Sequence, residues 1–358
     1  MKFKTLLGIA AVGTLLLTGC TVGGSAGESG GGSAETSSQT FADANTTLEK
    51  SYEGVASAME GKRVAFVPLL LEGYGLTTNW FDNLKRSLEP LGATVTAYDA
   101  NFDPEKMVST VDQLIQEKSA DVLVLHNIDV GILSSQIKAA EEAGIYVLTV
   151  NMLGNRLGDA YVGPHTSRAA TDIAERAISD CKAKGASKLT IIDGPGTDAA
   201  SIEWSTNITK AVEEAGLEVT ETAHSDYVDA KAREIAETTI ARYGSDVCGF
   251  LVLFDGNSIA VGDAVQEAVG AGTLAQGEVG VYTFSADARV CDAMERDVVT
   301  ASAAYDVPGM GSAIAATIQQ LVEMNQKPGT FHTVSLLGHE IVDKSNMRNF
   351  NLSCWANS

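Results

Sequence analysis

The residues that could do chemistry follow short apolar runs rich in β-branched side chains. Tyr74, Thr77, Asn79 and Trp80 come after the run at 64–70. His126, with Asn127 and Asp129, closes the run at 122–126, and Asn151 follows 146–150. In the second half Asp198 comes after the run at 189–192, with Glu203 further on. Asp255 and Asn257 follow 249–254, Ser285 and Asp287 follow 279–284, and Tyr305 follows 298–303. His165 is a second histidine able to reach the same place. The set holds carboxylates, amides, hydroxyls and aromatics, with almost no cation. Carboxylates and amides bond vicinal hydroxyls in pairs, and an aromatic face packs on the C–H face of a ring. A buried site of this kind suits a neutral polyhydroxy ligand, because it rejects molecules that leave its polar groups unpaired. Each residue taken alone has a plainer use: Asp198 and Asn257 as helix caps, Trp80 as core.

Other chemistries find less support. Gly194-Pro195-Gly196-Thr197-Asp198-Ala199 has the form G-x-G-x-x-A after a strand, with Glu218 and Glu221 downstream. This is formally a dinucleotide fingerprint, but Pro195 is unusual for that loop and the motif opens the second half. No cofactor is expected. G-x-S-x-G, H-E-x-x-H and Walker sequences are absent. The five histidines are dispersed, and no metal site is expected. A formal net charge of -21 excludes nucleic acid as the natural partner.

The elements that must position these residues alternate. Strands are expected at 64–70, 94–99, 122–126 and 146–150, with helices at 79–91, 104–117 and 131–142. A second series has helices at 168–183, 199–214, 230–243, 258–269, 286–295 and 309–325. Its strands fall at 189–192, 218–224, 249–254, 279–284 and 298–303, with a last one near 333–337. A weaker helix is expected within 41–59. Such repeats imply parallel sheets covered by helices on both faces, with ligands held beyond the carboxyl ends of the strands. The 358 residues allow two domains.

The N-terminus reads as an export signal. Lys2 and Lys4 precede an apolar run at 6–17, too short for the roughly 20 residues that span a bilayer. Leu17-Thr18-Gly19-Cys20 resembles the bacterial lipobox, which implies cleavage before Cys20 and its lipidation. Residues 21–40 are Gly, Ser, Thr, Ala and Glu with almost nothing to bury, a flexible tether. Four further cysteines outside the membrane suggest two disulfides, for which three pairings exist. The pairing taken here is Cys181 with Cys248 and Cys291 with Cys354.

From about residue 62 to 342 the chain resembles the type I periplasmic sugar-binding proteins, the ribose-binding-like solute-binding subunits of ABC transporters. The resemblance is carried by 75–85 leading into Leu91-Gly92, Asn101 with 104–113, 145–151, 194–200, and Asn257-Ser258-Ile259-Ala260-Val261-Gly262. It implies an α/β fold of two doubly wound parallel-sheet lobes joined by three crossing strands. The expected divisions are 1–19 signal peptide, 20–60 tether, 61–165 with 306–335 as N-terminal lobe, and 166–305 with 336–358 as C-terminal lobe. Position by position, Tyr74, Leu76 and Thr77 become first-loop contacts. Asn151 and Met152 stand where ribose-type members carry an Asp-Arg pair, and Glu203 stands where many carry a binding Arg. Gly256-Asn257 covers the usual Asn-Asp, Ser285 replaces an Asp, and Tyr305 stands at a common polar position. With both arginines absent, a linear or smaller polyol or an unusual monosaccharide fits better than ribose, glucose or galactose. The resemblance implies a non-catalytic, monomeric, lipid-anchored subunit that binds a sugar or polyol between its lobes and delivers it to an ABC permease. It would lie outside the cytoplasmic membrane or in the periplasm. The rival readings are a sensor subunit presenting its ligand to a membrane receptor, and an extracellular carbohydrate-active enzyme using Asp and Glu as acid and base.

Overall fold

A computed structural model describes residues 40–72, 75–285 and 287–350. The expected signal peptide, Cys20, residues 21–39 of the expected tether, Tyr74 and Cys354 lie outside the described residues. Two six-stranded sheets organise the chain. The first uses β1 (Arg63–Val67), β2 (Thr94–Ala97), β3 (Val122–Leu125), β4 (Tyr146–Val150), β5 (Ala160–Pro164) and β11 (Thr333–Leu337). Its order is β11-β5-β4-β3-β1-β2, parallel throughout. The second uses β6 (Lys188–Asp193), β7 (Glu218–His224), β8 (Val247–Val252), β9 (Gly280–Ser285), β10 (Ala301–Tyr305) and β12 (His339–Asp343). Its order is β12-β10-β9-β8-β6-β7, with only β12 antiparallel. Removing the two returning strands leaves the same order in each sheet, so the lobes repeat one topology.

Local chemistry accounts for the elements. β3 is Val-Leu-Val-Leu, buried along its whole length, as a strand covered on both faces requires. α2 (Gly75–Leu88) buries Leu76, Trp80, Leu84 and Leu88, an i, i+4 stripe. α3 (Pro104–Gln116) starts with Pro104 behind Asp103, whose carboxylate accepts from the amides of Glu105 and Lys106. α4 (Ser134–Glu142) leads into β4.

After β5 the chain passes to the second sheet through α5 (Thr166–Ala183), which packs on α6 (Ala199–Glu214), β8 and β9. α7 (Asp229–Tyr243), α8 (Asp255–Gly270) and α9 (Ala288–Glu295) complete that lobe. The chain crosses back after β10 into α10 (Val307–Met324), which packs against α2. Gly311 permits that approach, because a Cβ there would lie 2.5 Å from Cβ of Asn83. The third crossing runs from β11 through Gly338 to β12. The expected two-lobe α/β architecture with three crossings is the observed one.

Two strands escape the sequence reading. β5 is five residues ending in Gly163-Pro164, and β12 follows Gly338 directly. Two helices begin a full turn or nearly so before the expected start. α2 starts at Gly75, so Thr77 joins Asn79 and Trp80 on the helix and does not lie in a loop. α8 starts at Asp255, so Asp255 and Asn257 form its first turn. α1 (Phe41–Met59) is helical over the expected range. Among the described residues no helix is long and apolar enough to cross a membrane.

A disulfide joins Cys181 on α5 to Cys248 on β8, with Cα atoms 5.4 Å apart. Cys291 on α9 is also disulfide-bonded.

Candidate functional site

A narrow cavity opens between the carboxyl ends of the two sets of strands. Its volume is about 50 Å³, several times what one water needs. The first lobe supplies Leu69 after β1, Leu76 from the first turn of α2, Phe102 after β2, and Asn151-Met152 after β4. The second supplies Ala200 of α6, Tyr227 after β7, Leu253-Phe254 after β8, Phe284-Ser285 of β9 and Tyr305 of β10. The lobes meet across it. Tyr305 Oη donates to Asn151 Oδ1 at 3.3 Å, the amide of Val130 donates to the carbonyl of Thr197 at 3.0 Å, and the rings of Phe102 and Tyr227 lie 6.4 Å apart.

Asn151 is the best-oriented polar group on the wall. Its Nδ2 lies 3.1 Å from Nε2 of His126, while its Oδ1 receives the Tyr305 hydroxyl. Burial pushes the His126 imidazole down to about 3, so it is neutral at pH 7. A neutral ring facing an amide N–H accepts through Nε2, which puts its proton on Nδ1. His126 therefore fixes which way Asn151 presents its amide, without lining the cavity itself.

Ser285 is held in a comparable way. Its Oγ donates to Asp255 Oδ2 at 2.6 Å, and the amide of Asp287 donates to the same oxygen at 2.7 Å. Thr283 Oγ1 donates to the other oxygen at 3.4 Å. Burial, helped by the nearby Asp287 carboxylate, pushes Asp255 up to about 8.

The remaining expected contacts sit behind the wall. Trp80 is 0% exposed, packed in the core with its ring centroid 5.3 Å from that of His126. It is not the stacking platform expected of it, because α2 turns its face into the lobe. Thr77 is buried and donates to the Leu70 carbonyl, and Asn79 Oδ1 accepts from Asn83 Nδ2 at 3.0 Å. Asp198 caps α6, accepting from the amide and hydroxyl of Ser201 and from Tyr227 Oη at 2.8 Å. Burial raises its pKa. Asn257 accepts from Ser225 Oγ at 2.6 Å and donates to Asp229 at 2.8 Å.

Glu203 accepts from the amide and hydroxyl of Ser167 at 3.1 Å, so it stabilises the positive end of α5 and does not face the cavity. His165 caps the same helix at the surface, accepting from the Arg168 amide at 3.4 Å. Asp287 caps α9 through the Arg289 amide and pairs with the Arg289 guanidinium at 2.7 Å. Of the expected contacts, Leu76, Asn151, Ser285 and Tyr305 line the cavity; the other described ones do not. The acid-rich pocket expected from sequence is instead a layer of acids turned toward the protein's own donors.

The aromatic wall was not anticipated. Phe102, Tyr227 and Phe254 form one series, with Tyr227 edge-on to Phe254 at 5.5 Å. Tyr305, Phe284 and Trp204 form another, at 5.3 and 6.0 Å. The local signal is an aromatic set between a turn-former and a helix start, once in each half: Asn101-Phe102-Asp103-Pro104 and Asp226-Tyr227-Val228-Asp229. The dinucleotide-like glycines serve this wall as well. A Cβ on Gly194 would overlap the Tyr227 ring, and one on Gly196 would stand 3.2 Å from the His224 ring. Among the described residues no group of three His, Cys, Asp or Glu could hold a metal ion.

Two doubly wound lobes, three crossings and a cavity at the strand ends between them define a two-lobe binding protein. The chain belongs to the periplasmic binding protein family, whose domain matches residues 64–327. As a member of that family it is a binding component and not an enzyme. The fold is shared with several solved structures. A galactofuranose binding protein superposes with a TM-score of 0.71 at 15% identity, covering 80% of this chain and 96% of that one. A solute binding protein from Burkholderia graminis, in complex with D-arabinose, gives 0.72 at 19% identity, covering 82% and 99%. One from Bacillus halodurans with bound myo-inositol gives 0.70 at 17%, covering 81% and 97%. No curated protein matches the chain in sequence.

Proposed function

We propose that this chain is the extracytoplasmic solute-binding subunit of an ABC importer, taking a neutral monosaccharide or polyol between its lobes and delivering it to a permease. The observation that carries this reading is the cavity itself. Both lobes contribute to it, its walls combine aromatic faces with oriented amide and hydroxyl groups, and among the described residues no charged side chain lines it. A cationic or anionic solute would be desolvated there without a counter-charge, whereas a neutral ring would not. The similar folds solved with D-arabinose and myo-inositol support the same class of ligand.

A ligand that touches Asn151 on one side and Ser285 on the other binds the closed arrangement better than an open one. It therefore shifts the population toward closure in proportion to that difference. The bodies that move are residues 61–165 with 306–335, and 166–305 with 336–358. Lipidation at Cys20 would hold the monomer at the membrane, with the Gly/Ser-rich segment as tether. Cys20→Ser should move the chain from the membrane fraction to the soluble one.

The test of function is a thermal-shift screen over sugars and polyols followed by calorimetry. A true ligand at about 100 times its Kd stabilises the fold by about 2.7 kcal/mol. A screen in which no sugar or polyol raises the melting temperature rejects the reading.

A further inference from the structure

We infer that the ligand is a hydroxyl-poor ring, of the deoxy sugar class, seated with an apolar edge against the aromatic wall. This rests on the reading just proposed and narrows it.

Hydrogen-bonding capacity decides between ligands. A fully hydroxylated sugar carries a hydroxyl on nearly every carbon, and each one buried without a partner costs binding free energy. Proteins that enclose such a molecule must answer it with many side-chain oxygens and nitrogens. Here the described cavity residues include four side chains with nitrogen or oxygen atoms: Asn151, Tyr227, Ser285 and Tyr305. Each already has an internal bond. Tyr227 Oη serves Asp198, Ser285 Oγ serves Asp255, and Asn151 is shared between His126 and Tyr305.

The carboxylates that could have multiplied those contacts are spoken for. Asp198 accepts from Ser201 and Tyr227, Asp255 from Ser285 and Asp287, and Glu203 from Ser167. Turning any of them toward a ligand would strip a helix start or a strand end of its partner. Burial also raises the pKa of both Asp198 and Asp255.

The rest of the wall is carbon. Phe102 reaches in from the first lobe and Tyr227 from the second, their rings tilted by 34°. Phe254, Phe284, Met152 and Leu253 continue the surface. Such a wall rewards a methyl group or a run of C–H bonds and penalises a hydroxyl placed against it.

The test is calorimetry on the full chain with matched pairs: D-galactose and D-fucose, L-mannose and L-rhamnose, D-ribose and 2-deoxy-D-ribose. The expected result is that the deoxy member of at least one pair binds tighter by about tenfold or more, the scale of one unpaired buried hydroxyl. In every pair, a hydroxylated member that equals or beats its partner overturns the inference while leaving the sugar-binding reading intact. Silence from these and from all other sugars and polyols overturns both. As a second measurement, Phe102→Ala should cut that preference to about threefold or less. Phe102 is 41% exposed, so the substitution leaves the fold in place. A variant that keeps the wild-type ratio removes the aromatic wall from the argument and overturns the inference.

Discussion

Asp255→Asn probes the layer behind the cavity through its proton. Asp255 is 1% exposed, and its pKa moves from 3.8 to about 8 on folding. The folded value lies above the unfolded one. The contribution to stability is therefore complete below 3.8 and is lost as pH rises through about 8. Between those limits the folded chain binds one proton more than the unfolded chain, and stability falls by about 1.4 kcal/mol per pH unit from this group. From pH 5 to pH 7 the wild type should thus lose about 2–3 kcal/mol relative to Asp255→Asn. The amide has no proton to exchange, and its oxygen can still accept from the Asp287 amide. Asp193, which burial pushes up to about 6, and Asp198 titrate in both proteins and cancel in the comparison. Urea unfolding at pH 5, 6, 7 and 8, followed by the fluorescence of the buried Trp80 and Trp204, measures the difference directly. A stability difference that stays flat from pH 5 to 7 would refute the reasoning, because it would mean that Asp255 is ionised in the fold.

Trp80→Phe should cost about 1–3 kcal/mol of stability yet leave ligand affinity unchanged, since Trp80 fills the core beside His126; paired urea and calorimetric titrations check this. Replacing Cys181 and Cys248 together by Ser should lower stability by about 2–4 kcal/mol in the same urea assay. Its affinity should not change, because the bridge joins α5 to β8 away from the wall. Asn151→Ala should weaken ligand binding by about 1–2 kcal/mol in calorimetry, through the lost amide contact. His126→Gln should protect the fold against acid. The histidine's folded pKa of about 3 lies below the unfolded 6.5, so its contribution is present above 6.5 and lost as pH falls toward 3. Urea midpoints at pH 4 and pH 7 report that sign.

The alternation of strands and helices was legible because each carries its own period, and the strand-end position of the polar residues follows from it. What local pattern does not carry is side-chain direction. Asp198 and Asp255 are polar residues at strand ends, as expected of ligand contacts, yet Asp198 is claimed by the first turn of the helix it caps, and Asp255 by Ser285 and the Asp287 amide at the end of β9. Trp80 belongs to the amphipathic stripe Leu76, Trp80, Leu84 and Leu88, so the face of α2 that carries it turns into the lobe. β5 is hidden for a different reason. Its five residues are all buried and end in Gly163-Pro164, where a Cβ on Gly163 would stand 2.6 Å from Tyr161 Oη. Gly and Pro there suggest a break, while the tertiary environment demands a strand.

The backbone at the cavity adopts an uncommon conformation at matching positions of the two lobes. Asn101-Phe102 and Asp226-Tyr227 are consecutive residues with positive φ, at 55° and 54° and at 53° and 61°. Asn151 and Ser285 are positive as well, at 62° and 86°. The positions correspond between lobes: after β2 and β7, and at the ends of β4 and β9. Asn and Asp tolerate this conformation, but Phe, Tyr and Ser gain nothing from it, at a cost of about 1–3 kcal/mol each. Neighbouring bonds hold them there. The amide of Phe102 donates to the Leu69 carbonyl at 2.7 Å, and Val228 donates to Ser225 at 3.0 Å to close the turn at Tyr227. Glycine would relax the backbone at all of these sites. Its absence where the rings and the hydroxyl meet the cavity means that the side chains, not the turns, are what these positions supply. The geometry spends strain to aim Phe102 and Tyr227 at each other across the cleft, which is what a binding surface assembled from two lobes requires.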